Sequence, residues 1–459
     1  MFNEKRILET LMESSGIYSD IYIDTRNFTL IQLESGRVEK LEKGEDAGVG
    51  LRVITPWKTY YASTNSFEEK HLTDLARQLA QYGGQAKGGL VPISHHEQNA
   101  SYPFSISDDP GEVPVTEKLK LVRNFEELTR KMEPRINQVR IMYRDTRQNV
   151  RIVTTGDGIR NDSRMQVVFT VLVVGRDGKE MQTSYEAAGG FYGFEYFTPE
   201  LMEGLAAKTV KRLQGLLAAQ EAPRGMKTVV LASQAGGTMI HEAIGHGLEA
   251  DLAMEGLSCY KELLGHEIAS PIISVVDDAT IPHMRGTYAF DDEGISSQKT
   301  TLVDKGVLKN YLFDRFHAMK HSMPSTGNGR RESYRYRPIP RMSNTMIVPG
   351  TDEPEKIISS VDDGILVVKM GGGQVDTVRG DFVFEISEGY IIANGAVGPM
   401  IKNATMMGNG LKILKDIDMV GNDLGFGIGT CGKDGQGVPV ADAQPTLRIP
   451  GIIVGGRGG

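Results

Sequence analysis

The sequence predicts an α+β protein: an N-terminal α/β-meander region of two helix–strands–helix units, then a glycine-rich, mainly β C-terminal domain carrying a candidate metal-binding helix. Three observations predict it. Segments with apolar residues three and four apart flank runs of apolar–polar alternation, and this order occurs twice before residue 225. From Met226 onward the pattern changes to short strand-like runs between glycine turns. Glycine makes up 54 of the 459 residues and gathers in the second half, a density that means many tight turns and close backbone approaches.

The first unit opens with a helix over 4–15, where Ile7, Leu8, Leu11 and Met12 share a face. Alternating segments from "DIYIDTRNFTLIQLESG" to "KTYYAS" read as antiparallel strands, and a helix over 67–82 closes the unit. Residues 84–114, rich in Gly, Pro and polar side chains, read as a linker. The second unit has a helix over 116–132, strands near 138–146, 149–154 and 164–185, and a long helix over 198–219. "EAPRG" then marks a boundary. The expected division is 1–114, 115–225 and 226–459, the last mainly β, within the two to four domains that such a length suggests.

Composition narrows the function. A net charge of −8 argues against nucleic acid and anionic membranes as partners, because both require clustered cations that displace counterions. Two cysteines, Cys259 and Cys431, are too few for a disulfide framework and fit a reducing compartment. The first residues lack a secretory apolar core, and no apolar run reaches the ~18 residues of a membrane span, so a cytoplasmic location is expected.

The segment "AGGTMIHEAIGHGLEAD" at 235–251 holds the most chemistry. His241 is followed by Glu242, and a second histidine, His246, comes five residues after the first, giving HExxxH rather than HExxH. In a regular helix residues four apart share a face, whereas five apart diverge by ~140°. Two imidazoles at this spacing reach one ion only if the backbone absorbs a residue, through a π-bulge or by unwinding at the helix end. Gly245 and Gly247 flank His246 and tolerate either distortion. Glu242 stands where a zinc hydrolase places its general base. A catalytic zinc takes three protein ligands and one open position. For the third ligand, Cys259 sits in a helix-like context where a thiol is usually apolar filler. Cys431, in "GIGTCGKDGQG", lies in a glycine loop able to bring a thiolate to an ion, and is favoured.

Other candidates weigh less. His317 and His321 have true i,i+4 spacing but no following Glu and read as part of a surface helix; His266 has no partner in range; His95 and His96 fall in the linker. The acidic groups Asp277–Asp278 and Asp291–Asp292–Glu293 suit turns and caps better than a hard cation. The basic run Arg330, Arg331, Arg335, Arg337, Arg341, interleaved with Pro and Tyr, reads as an internal network or a peptide-carboxylate contact rather than a nucleic-acid surface.

Taken together, "HEAIGHGLEAD", "AFDDEG", "STGNGRRESYRYRPIPRMSNT" and "GTCGKDGQ" resemble the TldD/PmbA metalloprotease family, in its TldD branch, known under the older label of modulator of DNA gyrase. The resemblance runs over essentially the whole chain. It implies a zinc-dependent peptidase with His241, His246 and Cys431 on Zn2+ and Glu242 as the catalytic carboxylate. It also implies an enclosed cavity in a homodimer, or in a heterodimer with a TldE/PmbA-type paralogue, that admits leader peptides and unfolded or flexible polypeptides as extended strands. The competing reading is a non-enzymatic metal-binding interaction protein of the gyrase-modulator type. A closed four-ligand zinc would favour it.

Overall fold

The computed structural model describes residues 2–13, 16–82, 94 and 96–456. Residue 83 and, in the expected linker, 84–93 and His95 lie outside the described residues, as do 14 and 15 at the end of the first expected helix. Helix α1 (Glu4–Leu11) starts where the Asn3 side chain accepts the Arg6 N–H, and it buries Ile7, Leu8 and Leu11. Strands β1 (Tyr18–Glu34), β2 (Arg37–Ile54) and β3 (Thr59–Thr64) form a meander closed by α2 (Glu69–Tyr82). After the short β4 (Glu97–Asn99) the order repeats: α3 (Val115–Met132), β5 (Ile136–Thr154), β6 (Gly158–Asp177), β7 (Glu180–Gly190) and α4 (Pro199–Ala218). The strands expected near 138–146 and 149–154 are one strand, β5, and the 164–185 run is broken by a turn between β6 and β7.

The two units share a single sheet of order β3-β2-β1-β5-β6, with both β7 and β4 on β6. They are joined by antiparallel pairing of β1 and β5, from Asp20–Thr154 to Glu34–Arg140. Strand alternation gives the sheet two different faces. Ile21, Ile31 and Leu33 of β1 lie on one face, under two apolar clusters. The α1/α2 pair covers Ile21, Leu51 and Val53, and α3/α4 covers Ile141, Phe169 and Val171. The other face carries Asp20, Tyr22, Arg52 and Arg164 and rests on the C-terminal region.

That region is mostly β, as expected. One of its sheets runs in the order 307–308, 299–304, 275–278, 344–347, 436–444, 425–433, which leaves 425–433 as an edge. In the other sheet, pairing between 363–376 and 381–393 closes a ring with 225–231, 447–456 and 404–409. Met239, Ile240, Ile244 and Leu248 fill the core among these strands with Val229, Leu231, Phe384 and Val440. The expected metal-binding helix is a composite: one α turn at Thr238–Ile240, a π turn at His241–Gly245 and a 3-10 turn at His246–Leu248.

Candidate metal centre

The extra residue between the two histidines is taken up in the π turn, where the His246 N–H donates to the His241 carbonyl five residues back. Gly245 allows this for a packing reason. A Cβ there would stand 2.0 Å from the Met342 sulfur. At Gly247 it would meet the Tyr260 ring at 2.5 Å, and the Tyr260 hydroxyl donates to the Ala243 carbonyl over 2.7 Å, holding the turn from outside.

With the turn in place the two imidazoles lie edge to face, ring centres 5.0 Å apart. The third donor arrives on the hairpin of 425–433 and 436–444. Its two-residue loop, Asp434–Gly435, has positive φ at both positions (50° and 72°), as an Asp-Gly type I′ turn requires. This register places Cys431 opposite Val438, with its Sγ 3.3 Å from His246 Nε2. One donor atom from each of His241, His246 and Cys431 falls within 4.8 Å of the others, and among the described residues only these three form such a group. Cys259 sits elsewhere, in a turn rather than the expected helix, where burial pushes its thiol up to about 11.

The electrostatics fit a soft or borderline cation. Burial opposes ionisation of the Cys431 thiol, but hydrogen bonds from His241 and His246 outweigh it and bring the thiol down to about 5. His241 Nδ1 is buried without a hydrogen-bond partner, 3.8 Å from the Asp442 carboxylate. Two imidazoles and a thiolate converging in a buried pocket suit zinc. Glu242 is half-buried and lines, with all three donors, a cavity of about 620 Å³.

Behind the donors lies a network the sequence did not announce. His246 Nδ1 is 2.9 Å from Glu249 Oε2, and Lys433 Nζ reaches both Glu249 at 2.9 Å and Asp251 at 2.6 Å. Burial raises Glu249, yet Lys433 and His246 together hold its carboxyl down at about 2. Carboxylate–histidine contacts of this kind orient metal ligands. Arg341, fully buried, donates to the carbonyls of Cys431 and Gln436. The one available signal was spacing: Glu249 follows His246 by three residues and Lys433 follows Cys431 by two.

The remaining candidates are held apart from this centre. His317 is buried on the helix Arg315–His321, not at a surface as expected, and its Nδ1 is 2.7 Å from Asp314. His321 faces Glu255 at 3.5 Å. His266 and His96 are exposed. Asp277 accepts from Ser343, Thr345 and Asn328, and Asp291 from the N–H groups of Glu293, Ile295 and Gly329. Asp292 and Glu293 go beyond turns and caps: they bind Arg164 and Arg52 of the N-terminal sheet at 2.7 and 2.5 Å. Arg330, Arg331 and Arg341 are buried and donate to backbone carbonyls, whereas Arg335 pairs with Asp46.

Known proteins align with this architecture over almost its whole length. The PmbA/TldA metallopeptidase C-terminal domain matches residues 224–456, the central domain of that family 108–217, and its domain 1 residues 19–81. A metalloprotease TldD homologue of Buchnera aphidicola is 34% identical, covering 96% of this chain and 92% of its own. A zinc metalloprotease TldD homologue of Saccharolobus solfataricus is 27% identical, covering 90% and 91%. Two crystal structures share the fold. A Thermotoga maritima protein described as a modulator of DNA gyrase superposes with a TM-score of 0.79 at 20% identity, covering 98% of this chain and 99% of its own. TldE from Thermococcus kodakarensis gives 0.76 at 16% identity, covering 98% of each. The chain belongs to the PmbA/TldD metallopeptidase family, with its curated relatives on the TldD side.

Proposed function

We propose that the protein is a zinc-dependent peptidase acting on unfolded or flexible polypeptides, with His241, His246 and Cys431 holding the ion and Glu242 as the catalytic carboxylate. The observation that carries this is the convergence of three donors within 4.8 Å beside Glu242 in an open cavity. Zinc bound there supplies Lewis acidity toward water and a peptide carbonyl. Glu242 takes the proton from the attacking water and returns it to the leaving amine nitrogen, so one carboxylate serves as base and then acid. Lys433 and Glu249 hold the His246 ring in its orientation. Strand 425–433, which carries Cys431, is the last strand of its sheet, and an extended peptide pairs along its open side, the Gly429 carbonyl being taken by Arg285, in a mode of binding that is largely independent of sequence.

A three-donor set leaves a coordination position for substrate, which favours the enzyme over the interaction-protein reading. The assembly that goes with this reading is a heterodimer with a TldE/PmbA-type paralogue or a homodimer. Among the described residues no helix is long and apolar enough to cross a membrane, and we place the protein in the cytoplasm without nucleic-acid partners. The test is Glu242→Ala. Peptide cleavage should fall by about 10²–10⁴-fold, while zinc content by elemental analysis stays at the parent level. Cleavage at the parent rate, or insensitivity of the parent to chelators, would overturn the reading.

A further inference from the structure

On the face of the edge hairpin opposite Cys431 lies a second cavity, of about 240 Å³, with an unusual charge. Alternation along 425–433 sends Cys431 to the metal side and Thr430 to the other, and Thr430 with its cross-strand partner Pro439 lines this cavity. Six arginines line it too: Arg26, Arg144, Arg164, Arg285, Arg330 and Arg331. Three have anionic partners. Arg26 pairs with Asp24, Arg164 with Asp162 and Asp292, and Arg331 with Asp20 at 3.5 Å.

The other three do not. Arg285 spends its donors on neutral oxygens: the Gly429 carbonyl at 2.9 Å, Thr430 Oγ1 at 3.1 Å and Gln166 Oε1 at 3.3 Å. Arg330, 5% exposed, donates to the carbonyls of Met342 and Pro439 at 2.5 and 2.7 Å. Arg144 makes no hydrogen bond or ion pair among the described residues, its guanidinium lying over the Phe28 ring at 5.9 Å. Burial, with Arg144 and Arg330 close by, brings Arg285 down to about 10. Two carboxylates also line the cavity. Asp292 is taken by Arg164, Tyr22 and the Arg331 N–H, and Glu332 accepts the Gly437 N–H at 2.6 Å.

We infer that this arginine cavity is a specificity pocket that receives a carboxylate of the peptide substrate. The inference rests on the peptidase reading. A peptide paired along 425–433 turns alternate side chains to the two faces of the sheet. One set points to the metal side, and a residue of the other set meets Thr430 and the guanidiniums of Arg144, Arg285 and Arg330, none of which is in an ion pair among the described residues. Forked guanidinium donors match the geometry of a carboxylate and discriminate it from an amide.

The experiment compares an unstructured peptide containing one Glu with its Gln counterpart, and each with a C-terminal amide, on the zinc-loaded protein and on Arg144→Gln. Arg144 is solvent-exposed and has no polar partner, so its replacement leaves the fold intact. The parent should prefer the Glu peptide, or the free C-terminus, by about tenfold or more in kcat/KM, and Arg144→Gln should lose most of that preference. Which pair shows the preference tells whether the carboxylate is a side chain or the chain end. Fluorescence anisotropy with Glu242→Ala protein reads binding without turnover and should show the same preference. Equal handling of acid and amide by the parent in both assays overturns the pocket while cleavage itself upholds the peptidase. Selective binding of the acidic peptide with no cleavage by the parent upholds the pocket and overturns the peptidase.

Discussion

Two of the buried clusters of ionisable groups among the described residues are built on opposite plans. At the junction of the N-terminal sheet with the C-terminal region, Asp20, Asp292 and Glu293 meet Arg52, Arg164 and Arg331, so each charge faces an opposite one. At the candidate metal centre, two imidazoles and a thiol converge, each able to offer an electron pair to a cation. A closed charge network has nothing left to bind and serves to fix two regions together. Three donor atoms that converge on one point suit the binding of an added cation. Titratable side chains are plentiful in both places. What separates the structural lock from the candidate reactive centre is whether the groups are fixed carboxylate–guanidinium pairs or donor atoms able to share one cation.

This contrast can be broken or sharpened by experiment. The largest effect is expected from Cys431→Ser, which should weaken zinc binding by about a thousandfold or more, whereas Cys259→Ser leaves it at the parent value; competition with a chelator measures both. Loss from Cys259→Ser instead would move the third ligand. In the lock, Glu293→Gln strands Arg52 partly unpaired in a fully buried site and should cost about 3 kcal/mol of stability in urea unfolding without altering zinc affinity per folded molecule. A smaller change is expected behind the donors: Glu249→Gln should weaken zinc by about 10–100-fold through the freed His246 ring, with little change in the urea midpoint of the metal-free protein. If Glu249→Gln proves as destabilising as Glu293→Gln, the network behind the metal belongs to the lock.

The smallest effect is a pH signature of the metal-free protein. The Cys431 thiol, at about 5 when folded, lies below the ~8.5 of a free cysteine. A lowered acid contributes stability above the unfolded value and loses it as pH falls from about 8.5 to 5. His241 and His246 are raised, so burial notwithstanding, their contribution is present at low pH and lost as pH rises through their folded values. Thiolate absorbance should therefore persist down to about pH 5 for Cys431 and be absent for Cys259 until far higher pH. A single thiol titration near 8.5 for both would show that the donors do not converge.

Much of the fold was legible because its signals are local. The helices at 69–82, 115–132 and 199–218 lie within two residues of the periodicity that announced them, and the strand meanders follow the alternation. The sharing of one sheet by both units was not, since the β1–β5 pairing joins residues more than a hundred positions apart and leaves no periodic mark. At the site, the five-residue spacing of the histidines and the two glycines pointed to a backbone fault, and the chain has a π turn there. The reason Gly245 is required, the Met342 sulfur, comes from a distant segment and is invisible in sequence. Glu249, Asp251 and Lys433 were missed for the same cause: a charged residue near a motif reads as solvated surface until the fold buries it. The acidic "FDDEG" run was expected to cap turns, and its role as a bridge to Arg52 and Arg164 depends wholly on tertiary contact.

The Asp434–Gly435 turn has a consequence for assembly order. A two-residue hairpin closes in roughly 1–10 μs, long before strands from distant parts of so large a chain find each other. The side of the ribbon on which the Cys431 sulfur emerges is thus settled while the histidines are still remote. A slip of a single position there would turn the sulfur outward, so Gly435→Val should yield a protein that cannot retain zinc although every ligand and every buried charge is intact.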